Sequence, residues 1–217
     1  MPRGVYMAEK KELPDDRPKR PRNAAATREA ILQAALAAFS RHGYDGIGVR
    51  EIAQTAGVTG VLVNRYFGSK EELFAAAVEI MCADNGMFEG DCTMLAERLT
   101  AKVIAKTEAS VEPIDSLLLI LRSAPNPRAA EILRESIARH FEQPLKASLR
   151  GPKASERAAM ILALVVGFQL FSRVIASKAS AQANRASLSR HLRMTLQGLI
   201  DGPPSGAARV RDRKVTA

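Results

Sequence analysis

A chain of 217 residues with 47% hydrophobic composition is long enough to bury a core, as one large domain or as a small one and a medium one. Its formal charge of +9 points to an anionic partner, nucleic acid or an acidic membrane face, although basic stretches at Arg17–Arg22 ("RPKRPR") and near the end ("RVRDRK") supply much of the excess. Abundant alanine and only 5% aromatics favour helix over sheet, and the two cysteines, Cys82 and Cys92, lack the CxxC spacing or histidine cluster of a metal or disulfide framework.

The first 26 residues, rich in proline and charge, read as a disordered basic arm. No apolar leader stretch opens the chain, which with the reduced thiols suggests a cytoplasmic protein. Order is expected from Thr27, a candidate N-cap. Ile31, Ala35, Ala38 and Phe39 then form an apolar stripe, and Gly43 closes the helix. "YDGIG" is a turn. "VREIAQTAG" is a short helix ending at Gly57, and Thr59 caps a second one running to about Phe67. "SKEE" has the form of a capping box, Ser69 at the N-cap and Glu72 three residues on. The helix it starts is expected to end near Asn85-Gly86.

The pattern stays helical beyond that point. Thr93 to about Ser110 is amphipathic, a helix follows with Pro113 in its first turn and stops before Pro125, and the next carries a kink at Pro144. Ala154 to about Ser177 is apolar nearly all round, hence buried or in an interface. Its apolar core, "MILALVVGFQLF", falls short of the roughly 20 residues that span a bilayer, so no membrane partner is expected. A last helix carries Leu188, Leu192, Leu196 and Leu199 and stops at Gly202-Pro203-Pro204, leaving 203–217 as a basic tail. The fold class is all-α, about nine helices with no strand pattern.

Arg50 to Phe67 fits a helix-turn-helix. Such a crossing needs a small residue where the axes approach, here Ala53, and a turn residue free to take positive φ, here Gly57. Ile52, Ala56, Val58 and Val63 supply the apolar inner faces.

With those features in place, "TREAILQAALAAFSRHGYDGIGVREIAQTAGVTGVLVNRYFGSKEELF" resembles the DNA-binding domain of TetR/AcrR-type transcriptional regulators. The resemblance covers about a fifth of the chain, and the remainder fits the family only in kind. It implies a helix-turn-helix domain over 27–73, a ligand-binding and dimerising helical body over 74–202, and a palindromic double-stranded DNA operator as partner. It places Gly60, Val61 and Leu62 at the exposed start of the recognition helix, where base edges are met. Arg50 matches a position that reaches a base or phosphate. Thr27 and Thr59, at helix N-termini, suit phosphate oxygens, and Tyr66 and Lys70 match phosphate-contacting positions. Arg65 is a solvated charge or a DNA contact. Asn64 departs from the family habit of tyrosine, which touches the backbone; asparagine can instead bond an adenine edge. The basic arm either follows the DNA or only solubilises.

In the body, Ala159, Ala163 and Gly167 recur at i+4 and would let another helix approach closely. With Leu188, Leu192, Leu196 and Leu199 they are the candidate four-helix homodimer interface. A pocket for a small apolar effector would draw on Met81, Met87, Phe88, Leu118, Leu121, Phe141, Phe168 and Phe171, with Arg122, His140 and Gln169 to orient the ligand. No nucleophile-base-orienter set and no metal spacing such as HExxH occurs, so neither enzyme chemistry nor a cofactor is expected. The rival readings are a helical carrier or enzyme with an incidental helix-turn-helix, and an architectural DNA-coating protein. The expectation is a ligand-released regulator, a repressor by family habit.

Overall fold

The computed structural model describes residues 21–83, 88, 92–108 and 115–203. Among these the regular structure is entirely helical, in eleven α-helical segments: α1 (Pro21–His42), α2 (Val49–Thr55), α3 (Gly60–Phe67), α4 (Lys70–Ala83), α5 (Leu95–Glu108), α6 (Ser116–Ser123), α7 (Pro127–Ile137), α8 (Gln143–Ser148), α9 (Ala154–Gln169), α10 (Lys178–Gln182) and α11 (Arg185–Asp201). The count exceeds nine because the stretch around Pro144 divides into α7 and α8 and because α10 precedes α11 as a separate turn.

The first helix starts at Pro21, six residues before the expected N-cap. Proline suits a first turn, where its missing N–H costs nothing, and Ala24, Ala25 and Ala26 are the best helix formers. Residues 21–26 are therefore helix and not arm, and Thr27 is inside α1. Arg17, Lys19 and Arg20 of the basic arm, the tail from 204 on, Met87 and the expected stop at Asn85-Gly86 lie outside the described residues.

One core holds the N-terminal half together. Ile31, Leu32, Phe39, Ile52, Leu73, Phe74 and Leu119 are all fully buried in it. Phe74 meets Phe39 and Tyr44 edge-on, each at 5.0 Å between ring centroids, so α1, α4 and the 43–48 turn share one aromatic joint. Such pairs add about 0.5–1.5 kcal/mol each beyond the area they bury. At Gly43, φ is +73° and a Cβ would stand 2.4 Å from the carbonyl oxygen of Arg122, so glycine there lets α6 close on the end of α1. Arg122 Nη1 donates to the Ser40 carbonyl at 2.6 Å across the same contact.

A second core is built from α5, α8, α9 and α11 around Leu95, Leu99, Leu145, Ile161 and Leu196. Arg157, nine-tenths buried, donates to the carbonyls of Leu199 (3.2 Å) and Ile200 (2.8 Å), and also to those of Arg150 and Pro152. A cation at the C-terminal end of α11 meets the negative pole of that helix.

The helix α6 begins at Ser116, where the Asp115 carboxylate caps it by accepting from the N–H groups of Leu117 (3.0 Å) and Leu118 (3.2 Å), and Pro113 lies outside the described residues. The same carboxylate is ion-paired with Arg173, and the Asp115 N–H donates to Ser40 Oγ at 3.3 Å. The kink expected at Pro144 is a π-turn over Ala138–Glu142. Proline has no N–H to offer and its ring crowds the carbonyl four residues back, and a one-residue widening of the turn relieves both. At the π-turn, Glu79 of α4 accepts from Ser136 Oγ (2.7 Å), Arg139 (2.9 Å) and the ring nitrogen Nε2 of His140 (2.9 Å). His140 therefore braces α4.

A second π-turn, Leu170–Val174, prolongs α9 without a break, so the helix runs 21 residues from Ala154 to Val174. By length and composition alone that is enough to cross a bilayer, which the sequence pattern had not suggested. One of its sides, however, packs on α5, α8 and α11, with Ile161 and the paired Arg157 inside. The other side is open: Met160, Val166, Phe171 and Val174 are each more than two-fifths exposed.

Candidate nucleic-acid interface and body cavity

The helix pair α2–α3 is locked from within. Ile52, Ala53 and Val63 are essentially without exposure, and Phe67 is nearly so. The turn closes as the Gly57 N–H donates to the Gln54 carbonyl (3.1 Å) and the Val58 N–H to the Ala53 carbonyl (2.9 Å). Gly57 takes φ +69°, and nothing lies within 4 Å of where a Cβ would be, so backbone freedom and not space selects glycine. Glu51 reaches back to accept from the Gly48 N–H at 2.9 Å, which fixes the start of α2.

Thr59 is the N-cap of α3, its Oγ1 accepting from the Leu62 N–H at 3.4 Å. At Ser69 the box is half formed. Ser69 Oγ accepts from the Glu72 N–H at 3.1 Å, while the Ser69 N–H turns to the Phe67 carbonyl and Glu72 lies over Gly68. A Cβ on Gly68, whose φ is +82°, would stand 1.9 Å from Glu72 Oε2.

The outer face of the pair carries the residues singled out from sequence. Val61 is 79% exposed, Asn64 and Arg65 are exposed, and Gly60 and Leu62 are half-buried at the rim. Arg50 is exposed on α2, and its Cγ would lie 3.7 Å from a Cβ at Gly60, so its stem runs beside the start of α3. Lys70 places Nζ 4.6 Å from the Tyr44 ring centroid, while Tyr66 packs half-buried on the N-terminal core. Arg28 of α1, not anticipated, holds its guanidinium 4.8 Å above the Phe67 ring at the end of α3. Nothing in the local sequence distinguishes it from a solvated helix charge. Thr27 is a correction: in the second turn of α1 its N–H belongs to the helix ladder and offers no free helix terminus to a phosphate.

In the body, a cavity of about 490 Å³ opens between α1, α4, α5, α6, the first π-turn and α9. Of the candidate ligand residues, Met81, Phe141 and Gln169 line it. Phe88 stands behind it, edge-on to Phe141 at 6.3 Å. Leu118, Leu121, Arg122, Phe168 and Phe171 do not line this cavity. On α6 it is Leu117 and Ile120 that face in, Leu121 is over a third exposed, Arg122 is committed to Ser40, Phe168 packs on the second core, and Phe171 is 58% exposed. Unforeseen contributors come from α1 (Gln33, Leu36) and α5 (Leu99, Lys106), helices whose approach no local pattern encodes.

The stripe Ala159, Ala163 and Gly167 lies on the open side of α9, with nothing within 4 Å of a Cβ at Gly167. Leu192 and Leu196 do not join that face. They are 5% and 0% exposed, in the subunit's own core, with Leu188 and Leu199 half-buried beside them. The outward side of α11 consists instead of His191, Met194, Thr195 and Gly198. Among the described residues no group of three or more metal-ligating side chains converges.

Comparison with known proteins agrees with this architecture. Residues 31–77 match the family described as "Bacterial regulatory proteins, tetR family", and residues 94–200 match "Tetracyclin repressor-like, C-terminal domain". The HTH-type transcriptional regulator BetI of Rhizobium meliloti is 28% identical over 81% of this chain and 94% of its own. Among solved structures, Salmonella enterica GusR superposes with a TM-score of 0.62 at 22% identity, covering 81% of this chain and 96% of that one. A Saccharomonospora viridis protein solved in complex with choline does so at 0.56 and 20%, covering 80% and 96%. An all-α chain with a rigid helix-turn-helix head, matched in both halves, belongs to the TetR family of transcriptional regulators.

Proposed function

We propose that this protein is a homodimeric repressor that binds a palindromic operator and is released from it by a small molecule held in the body cavity. The observation that carries the reading is the asymmetry of α3. Its inner face, Val63 and Phe67, is sealed in the core, while Val61, Asn64 and Arg65 are presented outward beside Arg50. A helix of eight residues gains little stability from an exposed valine, and a major groove is the surface that fits small apolar and amide groups on one short helix. In this reading Gly60, Val61, Leu62 and Asn64 meet base edges. Arg50, Thr59, Arg65, Tyr66 and Lys70 meet the backbone, Lys70 swinging off the Tyr44 ring to do so.

The dimer seam would be the open side of α9, Ala159, Ala163 and Gly167 flanked by Met160 and Val166, together with His191, Met194, Thr195 and Gly198 of α11. Burying the exposed apolar side of a 21-residue helix against a second copy accounts for it without a membrane and suits a cytoplasmic protein. The cavity falls within the range of about 300–1,000 Å³ typical of small-molecule sites. A binding role without turnover fits its described lining, which is aliphatic apart from Phe141 and four polar side chains. Choline, held by the Saccharomonospora protein, suits it poorly. Among the described residues no carboxylate and no aromatic cage line the space, and quaternary ammonium recognition relies on such groups.

Footprinting the purified protein on the DNA upstream of its own gene tests the reading. A protected palindrome, bound at least about a thousand-fold tighter than random duplex, is the expected result. Equal affinity for both would make it an architectural protein, and turnover without binding would make it an enzyme.

A further inference from the structure

We propose that the cavity takes an amphipathic organic anion: an alkyl or aryl chain carrying one carboxylate, with the carboxylate at Lys106 and the chain against Leu99, Leu117, Ile120 and Val165. This rests on the reading of the cavity as the effector site and adds the chemical class of the effector.

The charge inventory of the lining is the argument. Twelve of the sixteen described side chains that line it are apolar, and the polar four are Gln33, Ser116, Gln169 and Lys106. Lys106 is the one charged group among them, and it forms no ion pair among the described residues. Its place in the last turn of α5 suits the helix dipole, but that alone requires nothing of the cavity. What points to a ligand is an uncompensated cation at the edge of an apolar space. The Asp115 carboxylate, one residue before the lining residue Ser116, is itself engaged by Arg173 and by the N–H groups of Leu117 and Leu118.

The position of the charge also selects the shape of the ligand. Lys106 is solvent-exposed, whereas Leu99 and Leu117 behind it are almost fully buried. A carboxylate at the mouth keeps part of its hydration and gains the ammonium, while the chain leaves water along the aliphatic walls. A fully buried anion would have no second cationic partner among the described lining residues, and a cation would meet Lys106 as a like charge.

The probes are decanoate, 1-decanol and decyltrimethylammonium, titrated calorimetrically at low salt into the full chain and into Lys106→Met and Lys106→Arg. Decanoate should bind at least about ten-fold tighter than the cation. Lys106→Met should weaken decanoate about three- to ten-fold, the range for a partly exposed charge pair, leave 1-decanol unchanged, and be rescued by Lys106→Arg. Equal loss for decanoate and 1-decanol, no loss for either, or preference for the cation would overturn the proposal. Operator binding is measured on the same preparations. Intact operator binding without decanoate binding refutes the ligand class alone, whereas absence of operator binding refutes the regulator reading.

Discussion

Arg173 and Asp115, 58 residues apart in sequence, form an ion pair that ties the π-turn after α9 to the N-cap of α6. The side chains are only 14% and 5% exposed. Removing one partner leaves the other charged and buried, which costs about 3 kcal/mol. Arg173→Met and Asp115→Asn, the second retaining the cap on α6, should each lower the urea-derived stability by about that much. The double variant should lose clearly less than the sum of the two. Strict additivity would mean that the pair is not coupled.

Asn64→Ala should weaken operator binding by about 1–3 kcal/mol and leave the thermal midpoint nearly unchanged, because the side chain is exposed and lies outside the core. Titrating both proteins on one operator duplex and following both melts by circular dichroism decides it. Unchanged affinity, or a large loss of stability, counts against the contact.

Gly68→Ala meets two obstacles, a left-handed φ of +82° and the carboxylate of Glu72. The expected loss is about 1–2 kcal/mol. In a Glu72→Ala background the steric part disappears and the conformational part stays, so a smaller loss should persist. A neutral substitution in the native background would show that the turn relaxes freely.

Glu79 couples stability to pH. Burial raises its carboxyl, but the hydrogen bonds from His140 and Ser136 and the charges of Arg139 and His140 outweigh burial, and the net position lies below the ordinary 4.5. A depressed carboxylate contributes stability above its unfolded value, and that contribution is lost as pH falls through the folded one. Thermal midpoints should therefore drop on acidification below about pH 4.5, and Glu79→Gln should flatten that part of the profile. An unaltered acid limb in Glu79→Gln would dissociate the cluster from acid stability.

The head was legible because its signals are local. Thr59, Gly57 and Ser69 mark boundaries within a few residues of where they act, and the inner-face residues follow helical spacing. The exception, Thr27, failed because Ala24–Ala26 extend the helix past a plausible cap. In the body the same reasoning named the helices but not their partners. The leucine stripe of α11 looks alike whether it faces a core or a second subunit, and only its packing on α5 assigns Leu192 and Leu196 to the core. Likewise Leu117 and Leu118 are adjacent and chemically identical. Which of them lines the cavity depends on the tilt of α6, set by Gly43, Ser40 and Asp115 from distant parts of the chain.

The cavity wall includes Gln33 and Leu36, and both belong to the helix on which the DNA-binding pair is mounted. On the proposed reading, a guest there would press on the scaffold of the head directly, with no intervening lever. Linkage then binds the two partners to a common exchange rate. Whatever factor the guest removes from the affinity for operator, the operator must remove from the affinity for the guest. Protein titrated while bound to its operator should therefore hold the effector more weakly than free protein, by the same ratio that effector weakens the hold on DNA.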